Sequence, residues 1–389
     1  MFRRVQVAGA MLAALTAVIA GCAGPQQPTP PPSSIRSLAP LPTDRPIVSP
    51  NASTAPIEVP AAVDATGSTD ASAALQRFVR GVPDGSTIVF KSGGTYRMDH
   101  GLVLGNRHDL VFEGNGATLL ANGSGGTLSD SIFALMYGDA RIAIRDFTLL
   151  GNNPDAGTKD AFHGGAEHLA GVFLGGSTDI EISGVSMRGF YGDCVNIGTN
   201  TTDAWSERVI YQDSTCTGAG RHGVAVVAAR DVTIRRVRFD QVGMMIIDIE
   251  PDRSSEGASG IMIRDNTIGS YGLTDQYVCW VVAAYAGASG APIQGVSLIG
   301  NTISGNPSAG YNGRALGLNV VVDGTIGPRS GFIVRDNRST ITVQDPPPID
   351  IGHTDGVTVT GNRQPMSSGS LATFQGSSDV IYQGNDTNP

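Results

Sequence analysis

The chain has 389 residues, a formal net charge of -9, 52 Gly and 22 Pro, with only 16% charged and 6% aromatic residues. The acidic balance and the lack of a long basic run argue against a nucleic-acid partner, because that attraction needs clustered Lys and Arg. Abundant Gly with few charges suits short strands and many turns rather than a helical bundle, and a single all-β repeat domain can run to this length.

The N-terminus reads as a processing signal. Met1 to Arg4 supply a short positive region, and Val5 to Ala20 an apolar stretch too short and too early for a membrane span. It ends in IAGC, Ile19 to Cys22, which resembles a bacterial lipobox, so residues 1–21 are expected to be a lipoprotein signal peptide with Cys22 lipidated. Residues 22–60 hold 11 of the 22 Pro and form the expected tether. Such a segment favours extended polyproline II and buries no core. The folded domain is expected over 61–389. An exported chain permits disulfides, and Cys194 with Cys216 is the favoured pair, leaving Cys279 buried or free.

From there on a short pattern repeats: Gly, Asp or Arg, then apolar, any, apolar, then polar residues. The copies begin at 109, 141, 179, 208, 231, 260, 295, 331, 356 and 379, at spacings of 23 to 38. Alternation of period two inside each copy makes it a strand, and a period of 20 to 50 residues means stacked units. Units of about 22 residues with two or three short strands match the coils of a parallel β-helix, about ten of them. The recurrent Asn at 115, 266, 301, 337, 362 and 385 follows Gly or Asp and suits a left-handed turn position.

A second strand precedes most copies. Aligning its apolar residues stacks Val195 and Ile197 over Val224 and Val226, then Ile247 and Ile249, then Leu318 and Val320, then Ile349 and Ile351. The residues between, Asn196, Ala225, Asp248, Asn319 and Asp350, then point outward, with Glu250 beside Asp248. Asp248 and Glu250 share the outer face of one strand, with Cα atoms about 6.6 Å apart. That pair suits acid–base or nucleophilic work on a glycosidic bond.

The segment 63–98, VDATGSTDASAALQRFVRGVPDGSTIVFKSGGTYRM, resembles the entry of pectin-lyase-like right-handed β-helix proteins, in which a short helix, here about Ala71 to Val79, plugs the first coil. With the coils, the resemblance covers about 60–389 and implies a single-stranded right-handed parallel β-helix. Within it, GDCVNI (192–197) and CTGAGRHGVAV (216–226) resemble the polygalacturonases. That resemblance matches Asp193 to the second of the family's paired acids and His222 to its Gly-His-Gly histidine. Gly192 stands where the first acid belongs, no Asn-Thr-Asp precedes it, and no Arg-x-Lys follows. Cys194 and Cys216, one coil apart, are then stacked neighbours.

The expected function is an exported, lipid-anchored, monomeric polysaccharide-active enzyme on the outer side of a membrane. Asp248, Glu250, His222 and Asp193 carry the chemistry. Arg221, Asn196, Tyr191 and Asn319 bind substrate, and Tyr271, Trp280 and Tyr285 are candidate stacking rings. Inserts at 150–170, 199–207, 252–259 and 286–294 are expected to wall a groove. A glycoside hydrolase needs no cofactor. The alternatives are a lyase or epimerase, with calcium on Asp248, Glu250 and Asp193, and a non-catalytic glycan-binding or structural envelope protein. His163 and His168 form a weaker metal candidate on an insert.

Overall fold

The structure, a computed structural model, describes residues 47–51, 55–123, 126–199, 204–344 and 346–389. The signal peptide, Cys22 and most of the tether lie outside the described residues. Three all-parallel sheets of 12, 10 and 10 strands wind into a right-handed β-helix. Successive coils contribute one strand to each sheet, so neighbours in space are one coil apart in sequence. Strand Ile57–Glu58 already pairs with Thr87–Val89, so the folded region begins before the expected boundary at 61. The backbone N–H groups of Val48 and Asn51 reach Asp179 and Asp109 on the first sheet.

The repeated pattern forms the first sheet. In every copy its first residue has positive φ, from Asp109 at 56° and Arg141 at 54° to Asp379 at 50°. The ladder skips this position: Thr178 pairs with Ala140 and Ile180 with Ile142, leaving Asp179 and Arg141 unpaired. Such a bulge kinks the strand. Gly fits it without steric cost, and Asp or Arg occurs where side-chain pairs between coils compensate. Arg141 grips Asp109 at 2.7 and 2.8 Å, and Arg208 grips Asp179 at 2.8 and 2.9 Å.

The recurrent Asn residues have a different task from the one expected. Asn115 has positive φ, but from Asn266 onward the left-handed residue is the one before: Asp265, Gly300, Asp336, Gly361 and Gly384. Asn266, Asn301, Asn337, Asn362 and Asn385 turn inward and stack. The Nδ2 of each of the first four donates to the next Oδ1 at 2.9 to 3.0 Å and to a backbone carbonyl, and Asn385 Nδ2 ends the stack on the Val359 carbonyl. The ladder satisfies polar backbone at a buried corner between the first and second sheets, where no strand pairing is available.

The interior is filled by rows such as Ile197, Val226, Ile249 and Ala284, all fully buried. A helix at Ser72–Gly81, two residues beyond the expected end, closes the N-terminal end with Leu75 and Val79. Gln76 of this helix exchanges two 2.9 Å hydrogen bonds with the backbone of Val103, capping the otherwise open edge of the third sheet. Cys194 and Cys216 are disulfide-bonded with Cα atoms 6.0 Å apart. They are not stacked in one row: Cys216 lies in a second-sheet strand, so the bridge crosses the interior to the start of a third-sheet strand. Cys279 is buried and free.

Candidate active site

The third sheet positions the site. Its register places Asn196 on Ala225, Ala225 on Asp248, and Asp248 on Ala283. Three residues before Asn196 and Ala225 stand Asp193 and His222, on coils joined by the hydrogen bond from Cys194 N to the His222 carbonyl. Glu250 follows the strand Ile247–Ile249, its N–H held by the Val226 carbonyl at 2.9 Å, with Pro251 next in the chain. Three consecutive coils therefore bring Asp193, Arg221, His222, Asp248 and Glu250 together although 57 residues separate the first from the last.

The alignment slips in the later coils. Val320 pairs with Val282 and Ile349, and Val321 with Ala283 and Asp350. Val321, not Asn319, holds the outward position. Asn319 Oδ1 accepts from the Gly317 N–H at 2.8 Å in the preceding turn, so it lies off the row expected to bind substrate. Asp350 keeps its outward place and accepts from Thr373 at 2.8 Å.

The acids face outward from the coil but are not solvated. Side-chain exposure is 0% at Asp193, 1% at His222, 7% at Asp248, 12% at Glu250 and 16% at Arg221, so only Glu250 and Arg221 open appreciably to solvent. The 151–171 insert packs its Glu167 and Leu169 carbonyls against Gly192, the residue before Asp193. A Cβ on Gly192 would stand 2.2 Å from the Glu167 carbonyl oxygen. This packing is why no acid can occupy position 192. Insert residue Phe162 meets Tyr277 with ring centres 5.9 Å apart. His163 pairs with Asp155 at 2.8 Å and with the Tyr191 ring at 5.2 Å, which engages it in the wall. On the next coil Trp280 and Tyr285 have ring centres 5.0 Å apart. Tyr271 is not available for stacking: it is fully buried and its hydroxyl donates to the Gly317 carbonyl at 2.8 Å.

Arg221 is the centre of charge. One guanidinium nitrogen lies 3.5 Å from Asp193 and another is in close contact with Glu250. Asp193 also accepts from Asn196 Nδ2 and from the His222 N–H, each at 3.0 Å. Asn196 and Arg221, expected to hold substrate, are thus committed to Asp193 and Glu250. His222 Nδ1 accepts from the Met245 N–H at 3.3 Å, so the ring proton sits on Nε2, which lies 3.2 Å from Asp248 Oδ2. Burial and the adjacent guanidinium hold His222 well below its ordinary value, so the ring is neutral and orients Asp248 instead of carrying a proton.

Burial raises Asp193, Asp248 and Glu250 above the usual carboxylate range, Arg221 opposes this, and the carboxylates repel one another. Burial opposes the charge on Arg221, yet Glu250, Asp193 and Asp248 keep it protonated. One cation cannot neutralise three carboxylates in a low-dielectric cluster, so at least one proton is shared among them near neutrality. Two contacts indicate where it resides. Arg221 favours ionised Glu250. Asp248 Oδ1 is buried and has no hydrogen-bond partner among the described residues, leaving a protonated Asp248 with a donor to offer.

Asp248, Glu250 and His222 place one ligand atom each within 4.8 Å of one another. The carboxylates are therefore not splayed, and the donor set invites a metal test. It fails on two counts. His222 Nε2 carries a proton because Nδ1 accepts from Met245, so neither ring nitrogen is free to coordinate. Asp193, the third expected calcium ligand, has both oxygens engaged. A dication would also lie against the Arg221 guanidinium. The residues do not fit calcium, which prefers several free oxygen ligands.

No protein-family model and no curated protein matches the chain. Solved structures do match. A family 28 exopolygalacturonase from Yersinia enterocolitica has a TM-score of 0.53 at 12% identity, over 85% of this chain and 79% of that one. The A-module of a mannuronan C-5 epimerase from Azotobacter vinelandii has a TM-score of 0.50 at 16% identity, over 83% and 93%. A surface adhesin of Streptococcus pneumoniae has a TM-score of 0.50 at 13% identity, over 84% and 93%. These likenesses define the fold alone: a parallel β-helix, shared by proteins with different activities.

Proposed function

We propose that this chain is a polysaccharide-active enzyme, and more narrowly a glycoside hydrolase. The observation that carries the reading is the buried cluster of three carboxyls around one guanidinium on the outward face of the third sheet, with Asp248 Oδ1 unpartnered. In this reading Asp248 is the general acid: its Oδ1 proton passes to the glycosidic oxygen as the C–O bond breaks. Glu250, in contact with Arg221, bonds through a carboxylate oxygen to the anomeric carbon as the leaving oxygen departs. Water then displaces it, giving a proton to Asp248 and so restoring both acids, a route suited to ligand oxygens that lie within 4.8 Å. His222 positions Asp248 through Nε2–H, and Asp193 positions Arg221. A buried acid raised above its ordinary value beside an ionised partner is the arrangement such chemistry requires. The resemblance to solved polysaccharide-active β-helices supports the same class. The leader ending in Cys22 and the Pro-rich segment after it support export and lipid anchoring, which Cys22→Ser tests by loss of membrane association.

The test is release of reducing ends from a panel of glycans by the wild-type chain, Asp248→Asn and Glu250→Gln, with absorbance of unsaturated sugar followed alongside. Reducing ends lost by about 100-fold or more in both variants support the hydrolase. An ultraviolet-absorbing product instead makes it a lyase. Binding that survives both substitutions, with no product from any glycan, makes it a glycan-binding envelope protein.

A further inference from the structure

The charge on the face around the acids bears on the substrate. None of the 10 strands of the third sheet contains Lys or Arg. The other two sheets do, with Arg141, Arg208 and Arg235 in the first and Arg97, Arg188 and Arg238 in the second. Along the third sheet, away from the cluster, the charged outward residues are Asp323 and Asp350. A cleft N-terminal to the cluster leads up to Tyr191 and is lined by Asp99, His100, Asp130 and Asn152. Its Asp130 lies 3.8 Å from His100, and its Asp99 pairs with Arg97.

The cations that do approach the face are mostly occupied. Arg221 is buried between Asp193 and Glu250. Lys159, on the 151–171 wall, lies 3.1 Å from Asp275 and 3.8 Å from Asp160. An exposed guanidinium, Arg314, belongs to the 304–319 loop two coils beyond the acids. The coil immediately after Asp248 offers a different surface. Ala283, small and flat, continues the row from Asp248, with Trp280 and Tyr285 paired on either side of it in the chain. A small floor flanked by aromatic rings suits the apolar face of a sugar ring and offers nothing to an anion.

Building on the enzyme reading, we infer that the substrate is an uncharged glycan, one whose sugars carry neither carboxylate nor sulfate. A polyuronate laid along this face would bring a negative charge on every residue past Asp323 and Asp350, with Arg221 already paired with two acids. Like charges at such range disfavour binding and slow encounter.

The test uses matched pairs that differ only in charge: polygalacturonate against its carboxyl-reduced galactan, and ι-carrageenan against its desulfated form, alongside neutral glucans, mannans and xylans. Retention of the full chain in glycan-containing native gels and release of reducing ends are both read at low and high salt. The expected result is at least tenfold stronger retention on an uncharged glycan than on either polyanion, and weaker retention in Trp280→Ala. Asp350→Lys is expected to raise retention on polygalacturonate. Stronger retention or cleavage of a polyanion than of every uncharged glycan overturns the inference, as does no retention on any uncharged glycan. Retention on an uncharged glycan without product leaves the charge inference standing and sinks the hydrolase reading, so the two failures are distinguishable.

Discussion

Replacing Arg221 by Met removes the one arginine within the acid cluster while keeping most of its volume. At 3.5 Å from Asp193, and with an effective dielectric constant near 20, one such contact amounts to ~5 kcal/mol before desolvation is subtracted. Breaking a buried ion pair from one side costs roughly 3–5 kcal/mol, because the partner charges remain buried. Here those partners can escape the penalty by taking up protons. Asp193, Asp248 and Glu250 already lie above their unfolded values, so their stabilising contribution is full below the unfolded carboxylate range and is lost as pH rises through the folded values. Without Arg221 those values rise further. The deficit of Arg221→Met should therefore be below about 1 kcal/mol near pH 4.5 and grow to roughly 3–5 kcal/mol near pH 8.5. Urea unfolding of both chains at the two pH values measures it. A deficit that is equal at both would show that lost packing, not charge, is what Arg221 supplies. No deficit at either would mean the cluster does not hold a buried cation.

Other consequences are as direct. Activity should be unchanged by prolonged chelation, since the His222 tautomer and the engaged Asp193 do not fit a metal at the acid cluster; loss on chelation restored by calcium would contradict that assignment. The acidic limb of the activity–pH profile should lie above the ordinary carboxylate range, because the ionised form of Glu250 is required and burial raises it; that limb should move upward again in Arg221→Met. Asn337→Ala removes the middle of the amide ladder, where Nδ2 gives and Oδ1 receives two hydrogen bonds each. It should cost about 3 kcal/mol in urea unfolding, and Asn385→Ala at the end of the ladder markedly less. Gly192→Asp, which would complete the paired acids of the polygalacturonase motif that 192–197 resembles, should lower the unfolding midpoint and add no activity, because its Cβ meets the Glu167 carbonyl.

Much of this architecture is local in origin and therefore readable in the chain. The period-two strands, the repeating Gly, Asp or Arg at their start and the inward rows of Val and Ile are each set within a few residues, and the coils follow from repetition. The pairing of Asp248 with Glu250 on one strand face belongs to the same class, as does the placing of Asp193, His222 and Asp248 on adjacent coils, whose registers advance by 29 and then 23 residues.

What was not legible depends on contacts between coils and on the length of each connection. The turn before Val320 takes up enough residues to shift the row from Asn319 to Val321, and no apolar pattern distinguishes those registers when every neighbour is Leu or Val. The Asn residues look like turn formers alone; as a stack of five, each completing the next one's amide bonds, they are interior. Arg221 reads as a free hand for substrate until its two carboxylate partners are seen on the coils either side. The burial of the acids, and with it their raised protonation and the neutral His222, arises from the assembled coils and is set by no local pattern. Sequence periodicity thus determines the helix and the face on which the acids stand. Only the tertiary structure decides their charge, because protonation depends on how much water the neighbouring coils and inserts leave around them.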